Sequence, residues 1–503
     1  MAVSFLGVTT ERLATQMDTA TNKDDKANLQ TLIVSDLHIS ESEPVNPKRP
    51  LWKRYKQKDF FFDEALIKCI EFVENKPSVE GPAVKTELIL NGDTFDFDSV
   101  TQTPSDGKNP VSLSHKKWGL GSQEWMSIYK IERIIEEHRW WLQQLGAFIQ
   151  RGNSVVFVIG NHDLELHWPT VQERVVKAMN LTEDHLEGVR FCSWFYLSGG
   201  DTFITHGHQL DAMCSVRDPV NPFIQLRRKA AVRLPFGEHA SRCMLNTMGY
   251  FNPHATRNYI MNSREYLRFF ANYMVKTQPL IVITWFTGAI ATFVRTTIHH
   301  MLPPMRDPLF VEEKTDDIAA SANVTPAQVR RLAAAGTPPA SANPLKILRE
   351  LWLDRALLII GSLLFGIQFI LALNMVWPIS PWWALGPALL LSPLIFIYAH
   401  SVHSSVFATP LLSKPSAKLL SQITGVNRIV LGHNHVPECS KLDDVEYINS
   451  GSWSPAYSEP ECINRIGTPT FVWIGKTEQK SRRTATLWRW PEGTLEPVPF
   501  TEE

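Results

Sequence analysis

The chain has 503 residues, too many for one ordinary domain, and 50 basic residues balance 51 acidic ones. This predicts two or more units and excludes a globally basic nucleic-acid binder. Six cysteines (Cys69, Cys192, Cys214, Cys243, Cys439, Cys462) form no CxxC pair, which argues against a disulfide framework or a thiolate zinc site and favours a reducing compartment. Residues 1–28 lack a basic start followed by an apolar run and read as a mobile polar tail, not a secretory signal.

In chain order, the apolar run 31–35 predicts a buried strand that delivers Asp36-Leu37-His38. A loop rich in proline and lysine follows, then helical spacing over 59–75. The next strand, 87–90, ends in Asn91-Gly92-Asp93-Thr94-Phe95-Asp96. Residues 122–150 carry an apolar helical stripe (Ile128, Ile131, Ile135, Leu142, Leu145, Ile149). The strand 154–159 closes in Gly160-Asn161-His162-Asp163. Strand-like pieces at 189–196 and 202–205 lead to His206-Gly207-His208. Strands resume only at 428–431, which ends in Gly432-His433-Asn434-His435, and continue at 445–449, 471–474 and 484–490. Alternating strands and helices at the start, with consecutive strands at the end, predict an α/β layered domain with a mixed sheet. The domain is read as 29–211 and 416–497.

Between these halves lies a mainly helical insert. Residues 219–300 are strongly basic, with only Glu238 and Glu265 as acids. Residues 303–345 are rich in Pro, Ala and Ser, and predict one short helix at 325–332, with a threonine cap and a proline at its first position. The unit 212–355 thus reads as a basic helical insert with a linker. From Ala356 to Ser413 there is no charged Asp, Glu, Lys or Arg. The segment 356–377 has about the ~20 apolar residues that span a bilayer, Pro378 and Pro381 break it, and 382–399 is a second segment. A transmembrane helical hairpin is expected over 356–399, with Trp377, Trp382 and Trp383 at its turn. Two halves of one site need an even number of crossings, so the shorter apolar run 280–294 is placed in the interface or inside the insert. Lys346, Arg349, Arg355, Lys414 and Lys418 flank the outer ends of the hairpin, which puts the catalytic halves on the cytoplasmic side of a multi-pass membrane protein.

Five clusters follow strands: Asp36-x-His38, Gly92-Asp93-x-x-Asp96, Gly160-Asn161-His162-Asp163, His206-Gly207-His208 and Gly432-His433-x-His435. Carboxylate, imidazole and amide oxygen without thiolate suit divalent cations, Mn²⁺ favoured, Fe or Zn²⁺ admissible. On extended backbone, side chains two apart share a face, so Asp36 and His38 can reach one ion. Glycine beside a ligand permits a sharp turn.

This ordered set resembles the calcineurin-like metallophosphoesterase superfamily over roughly residues 29–211 and 416–497. The resemblance implies two stacked mixed β-sheets flanked by helices and two metal ions. One ion would be held by Asp36, His38 and His435, the other by Asn161, His206 and His433, with Asp93 bridging. His162 would be the catalytic histidine and Asp163 its orienting carboxylate, with His208 and Asp96 supporting the ligands. In wording, Gly92-Asp93-Thr94-Phe95-Asp96-Phe97 and Tyr447-Ile448-Asn449-Ser450-Gly451-Ser452-Trp453 look like the UDP-2,3-diacylglucosamine hydrolase branch. That branch commonly has arginine at the position of His162 and aspartate at that of His208, and a far shorter insert.

The expected reaction is hydrolysis of a phosphoester or phosphoanhydride by a two-metal mechanism. The expected partners are a phosphorylated, lipid-linked substrate and the membrane, with no nucleic acid, since no recognition module accompanies the basic residues. An anchored hydrolase of soluble nucleotides or phosphoproteins and a non-catalytic membrane scaffold are the alternatives. Deletion of 212–415 is expected to spare activity only on a soluble substrate.

Overall fold

A computed structural model of the chain describes residues 29–75, 84–105, 107, 109–250, 252, 268–275, 280–305, 308–378, 380–386, 389, 393, 397–398, 411–477, 480–491 and 496–500. The expected N-terminal tail lies outside them.

The first half runs β1 (Leu29–Val34), α1 (Asp63–Glu74), β2 (Lys85–Asn91), α2 (Leu113–Trp118), α3 (Glu124–Gln150), β3 (Ser154–Val158), α4 (Pro169–Met179), β4 (Val189–Cys192), β5 (Phe195–Ser198) and β6 (Thr202–Thr205). The central part contains β7 (Phe223–Leu226), β8 (Lys229–Val232), α5 (Phe236–Cys243), α6 (Ile281–Met301), α7 (Pro308–Ser321), α8 (Pro326–Ala335), α9 (Pro344–Glu350) and α10 (Leu353–Asn374). The chain ends with α11 (Lys414–Thr424), β9 (Arg428–Leu431), β10 (Glu438–Leu442), β11 (Val445–Asn449), β12 (Thr470–Thr477), β13 (Lys480–Arg489) and β14 (Val498–Pro499).

Strands β1 to β4 are parallel neighbours, and β12 lies antiparallel on β1, giving one sheet in the order β14-β13-β12-β1-β2-β3-β4. The second sheet has the order β10-β11-β9-β6-β5. The period-2 alternation of side chains decides the layering. Leu32, Val34, Leu88, Leu90, Val155 and Phe157 pack with residues of α1, α3 and α4, while Ile33, Ile89, Val156 and Val158 meet Ile204, Val430 and Ile448 of the second sheet. Each such fully buried aliphatic side chain contributes about 1.5–3 kcal/mol. The two stacked mixed sheets flanked by helices are those the sequence implied.

Four local expectations differ. Residues 189–196 are two strands in different sheets, because the chain crosses between layers at Ser193-Trp194. The central part also contains a hairpin, β7–β8. Its turn residues Arg227 and Arg228 both have left-handed backbone, φ 51° and 65°. Asn-Gly usually supplies that conformation, so the turn left no sequence signal. Helices α7 and α8 are not linker: Ile318, Ala322, Val329 and Leu332 pack with Phe203, Ile429 and Leu431 as the outer cover of the second sheet, beside α11.

The last concerns the apolar run after residue 280, which is a 21-residue helix, α6, with the length and hydropathy of a membrane span. One of its faces packs on α5, where a Cβ at Gly288 would overlap the Cys243 carbonyl and Thr292 Oγ1 donates to His239 O at 3.2 Å. Helix α10, 22 residues, is more apolar and far less buried. These two apolar helices suggest membrane association. The expected second arm at 382–399 lies largely outside the described residues. Its Tyr398 hydroxyl donates to Asp354 Oδ2 at 2.8 Å, at the N-terminal end of α10.

Candidate metal centre

The five clusters converge at the carboxyl ends of β1, β2, β3, β6 and β9. Asp36, His38, Asp93, His433 and His435 all have left-handed backbone, with φ of 54°, 48°, 51°, 74° and 61°. This corrects the expectation of extended backbone for the D-x-H and H-x-H pairs. Non-glycine residues held in sparsely populated backbone regions cost about 1–3 kcal/mol each and cluster at functional sites. Here hydrogen bonds between the turns hold them: Asp36 N to Gly92 O (3.1 Å), His38 N to Asp93 O (2.8 Å) and Ser454 N to Asp36 O (3.1 Å). The backbone N–H of His433 adds a bond to Asp36 Oδ2 at 3.0 Å. Two glycines are required by close approach. A Cβ at Gly92, where φ is +80°, would overlap the His206 ring, and one at Gly160 would overlap Asp93.

The side chains of these clusters form three groups that can hold a cation, one on Asp36, one on Asp93 and a third of His38, Asp96 and His162. In the first, His38 Nε2 and His435 Nε2 are 3.2 Å apart and His435 Nε2 is 3.2 Å from Asp36 Oδ1. In the second, which joins Asp93, His206 and His433, His206 Nε2 is 3.2 Å from both Asp93 Oδ2 and Asn161 Oδ1. His38 Nε2 lies 3.8 Å from Asp93 Oδ2, so Asp93 stands between these two groups. His206 Nδ1 lies 2.9 Å from Asn91 O and must donate to it, which aims Nε2 at the site. Two imidazole nitrogens facing each other, and carboxylates facing imidazoles, are donor sets that a divalent cation satisfies. No thiol belongs to any of the three groups.

The electrostatics agree. Burial pushes Asp36 and Asp93 upward, but the imidazoles around them outweigh it, and both end below the ordinary carboxylate range. Burial pushes His206 down, yet the charges of Asp93 and Asp36 raise it from 6.5 to about 9. A raised histidine stabilises the fold fully below its unfolded value, and that contribution is lost as pH rises through the folded one. The chelator-treated protein should therefore lose up to about 3 kcal/mol between pH 6.5 and 9, read by thermal melts. Because a ligand imidazole must be neutral, metal uptake near pH 7 should release protons, measurable by calorimetry in buffers of different ionisation enthalpy.

His162 sits at the partly open side of the site. Its ring is 4.8 Å from that of His38, edge to face. The carboxylates beside its Nδ1 are Asp96 (3.4 Å) and Asp98 (3.9 Å). Asp163 does not have the orienting role the resemblance implied. Its two oxygens accept from Gly160 N (2.6 Å) and Thr94 N (2.8 Å), so it ties the turn after β3 to the turn after β2. Burial and the charge of Asp93 raise it to about 7. Asp96 stands beside the His162 ring, with a carboxylate oxygen within 4.8 Å of ring nitrogens of both His162 and His38, and is fixed by Ser99 N at 2.9 Å. His208 is a buried ring 5.6 Å from that of His206, with Nε2 against the Gln209 amide at 3.1 Å. Burial, then the charges of His206 and His433, hold it well below its ordinary range.

Besides Asp98, sequence reasoning missed two carboxylates. Asp211 Oδ2 lies 3.1 Å from His433 Nε2; its place three residues after His208 was the only available signal. Glu238, one of two acids in the basic stretch, is fully buried on α5 and accepts from Asn161 Nδ2 at 2.6 Å. Burial pushes Glu238 well above the ordinary carboxylate range, but its Oε1 can accept from the Asn161 amide in either form, so Glu238 fixes that amide with Oδ1 toward the metal side. Glu238→Ala should lower metal affinity or activity about 10–100-fold, the usual cost of losing a residue that orients a ligand. Glu238→Gln, which keeps one accepting oxygen, should recover much of it, with metal content and turnover measured on the same samples.

The calcineurin-like phosphoesterase family model matches residues 29–240. It runs past the expected boundary at 211 and takes in β7, β8 and Glu238. No curated protein matches the chain. The clustered Asp and His residues are those of a divalent-metal site in a phosphate-ester hydrolase, and residues 29–240 form a calcineurin-like phosphoesterase domain.

Proposed function

We propose that this enzyme hydrolyses a phosphoester or phosphoanhydride of a lipid-linked substrate at a membrane surface, with two metal ions. Asp36, His38 and His435 would hold one ion, and Asn161, His206 and His433 the other, with Asp93 shared. The N/O donor set favours Mn²⁺. Bound cations supply Lewis acidity toward the phosphoryl oxygens and lower the pKa of bound water. His162 supplies the proton for the leaving oxygen. Burial opposes its charged form, but Asp93 and Asp96 outweigh burial and hold it well above the ordinary imidazole range, so it is protonated at neutral pH.

The observation that carries the membrane part is α10. Leu357, Leu358, Ile360, Leu364, Phe365, Ile367, Phe369 and Leu371 are exposed over most of the circumference of one helix, which beyond its first turn buries only the stripe of Ser362, Gly366 and Ile370. A helix that is hydrophobic all round belongs in a core or a bilayer. The return of Tyr398 to Asp354 supports a hairpin, and exposed Trp377, Trp382 and Trp383 at its far end support an interfacial belt. The flanking Lys346, Arg349 and Lys414 support a cytoplasmic catalytic domain.

Deleting 212–415 cannot test the substrate, because that stretch supplies Glu238 and the α7–α8 cover. The test is full-length protein in lipid nanodiscs, assayed with Mn²⁺ and with chelator on lipid-linked pyrophosphates and phosphoesters beside soluble nucleotides. Metal-dependent turnover of the bilayer substrates is expected. Turnover of soluble nucleotides alone, at equal rates in nanodiscs and detergent, would remove the lipid part of the reading.

A further inference from the structure

Helix α6 has two unlike faces. Ile281, Gly288, Ala289, Thr292, Thr296 and His299 are buried against the domain, while Ile283, Ile290, Val294, Ile298 and Met301 are exposed. At 3.6 residues per turn these two sets lie on opposite sides of the helix. The buried side is tied by polar contacts that lipid could not replace. Arg233 reaches the carbonyls of His299 and Leu302 at the C-terminal end, and Arg295 Nη2 donates to Ser114 Oγ at 2.6 Å. A helix so fastened to a water-soluble domain does not cross a bilayer, and its exposed apolar side has no cover among the described residues.

Cations border that side. Lys117 of α2 reaches Thr287 Oγ1 at 3.4 Å, and Arg295 lies over the Trp118 ring at 5.1 Å, so α2 flanks the helix. Lys116 and Lys117 are exposed. The β7–β8 hairpin lies against the end of α6, through the Ile224–Pro304 bridge and Met305 N to Phe223 O at 3.0 Å. Its tip presents Arg227, Arg228 and Lys229, all exposed, and no carboxylate pairs with them among the described residues. Both arginines are in the left-handed conformation, which costs free energy in a residue with a Cβ. Three adjacent unpaired cations on a strained tip beside an apolar face complement one partner, an anionic lipid surface, to which each such cation adds attraction.

We propose that α6 lies in the plane of the membrane as a docking helix, with its Ile290–Val294 side in the interface and the Arg227-Arg228-Lys229 tip against anionic head groups. The even number of crossings then follows from α10 and its return arm alone. The docking surface reaches the metal site through α5, which packs on α6 and carries Glu238. This rests on the membrane part of the proposed function and needs none of the substrate assignment.

The tip offers three adjacent trypsin sites, so trypsin is a direct probe. Full-length protein is placed in nanodiscs of phosphatidylcholine alone or with phosphatidylserine, and fragments are followed by mass spectrometry. Cleavage at 227–229 should slow about tenfold or more with the anionic lipid, since three cations act together. Cleavage after Lys177, exposed in the last turn of α4, should not change. Ile290→Glu with Val294→Glu should abolish the difference. Equal cleavage of the tip in both lipids would overturn the proposal. So would protection by soluble RNA in detergent with none from anionic lipid, which would assign the surface to a soluble polyanion. Failure to enter nanodiscs at all would count against the membrane reading itself, separately from the tip result.

Discussion

Asp93→Asn should remove metal-dependent hydrolysis while leaving the fold in place. Asp93 Oδ2 lies 3.2 Å from His206 Nε2 and 3.8 Å from His38 Nε2, so this one carboxylate faces both groups of donors. The amide keeps the volume, and its oxygen can still accept from His162 N, as Asp93 Oδ1 does at 2.8 Å. The backbone bond from His38 N to Asp93 O is untouched. What is lost is the negative charge. Loss of even an outer residue costs a metal site about 10–100-fold. Removing a carboxylate proposed to serve two ions should cost more than about 10³-fold in turnover. Bound metal, measured by elemental analysis, should fall in step. His206 should lose most of its upward shift, since Asp93 is the largest charge raising it. Turnover within about tenfold of wild type, with full metal content, would end the shared-ligand scheme.

How much of this was legible beforehand depends on the distance over which each signal acts. The strands of the first sheet were readable because each is a short apolar run closed by a polar turn, and burial on both faces leaves no other explanation. The same runs placed Asp36, Asp93 and Asn161 at strand ends, and similar runs in the second sheet placed His206 and His433. Left-handed backbone at five of the metal-facing residues was not readable: aspartate and histidine tolerate it, but only the bonds between turns impose it. The role of Asp163 was misjudged for a similar reason. Adjacency to His162 in sequence suggested contact, whereas its oxygens are taken by Gly160 N and Thr94 N. Asp96, 66 positions before His162, stands beside the ring instead.

The central stretch was least legible, because composition masked its long-range packing. Pro and Ala around α7 and α8 read as linker, yet Ile318, Val329 and Leu332 seal the second sheet. Glu238 looked like a lone acid among cations; its hydrogen bond to Asn161 spans 77 positions. A basic stretch with two long apolar helices therefore also orients Asn161, and its deletion would be mistaken for loss of a lipid substrate.

His162→Gln should lower kcat by about 10²–10⁴-fold, the usual worth of a positioned general acid. KM and metal content should change little, because His162 belongs to neither group that joins Asp36 or Asp93 to its imidazoles. The loss should depend on the leaving group. A poor leaving oxygen needs the proton in the transition state, whereas p-nitrophenolate does not, so with that ester the deficit should shrink below about tenfold. A purely structural imidazole would show one deficit for both. The pH profile adds a second discriminant. Burial favours neutral His162, and the charges of Asp93 and Asp96 reverse that preference, so the acid stays loaded until pH rises well past 6.5. With Asp93 committed to cations, Asp96, 3.4 Å from Nδ1, is the nearest carboxylate left to the imidazole, ahead of Asp98 at 3.9 Å. Asp96→Asn should therefore shift the alkaline fall of kcat to lower pH while leaving the p-nitrophenyl rate nearly unchanged. An unmoved alkaline limb, or equal losses with both esters, would take the proton-donor role away from His162.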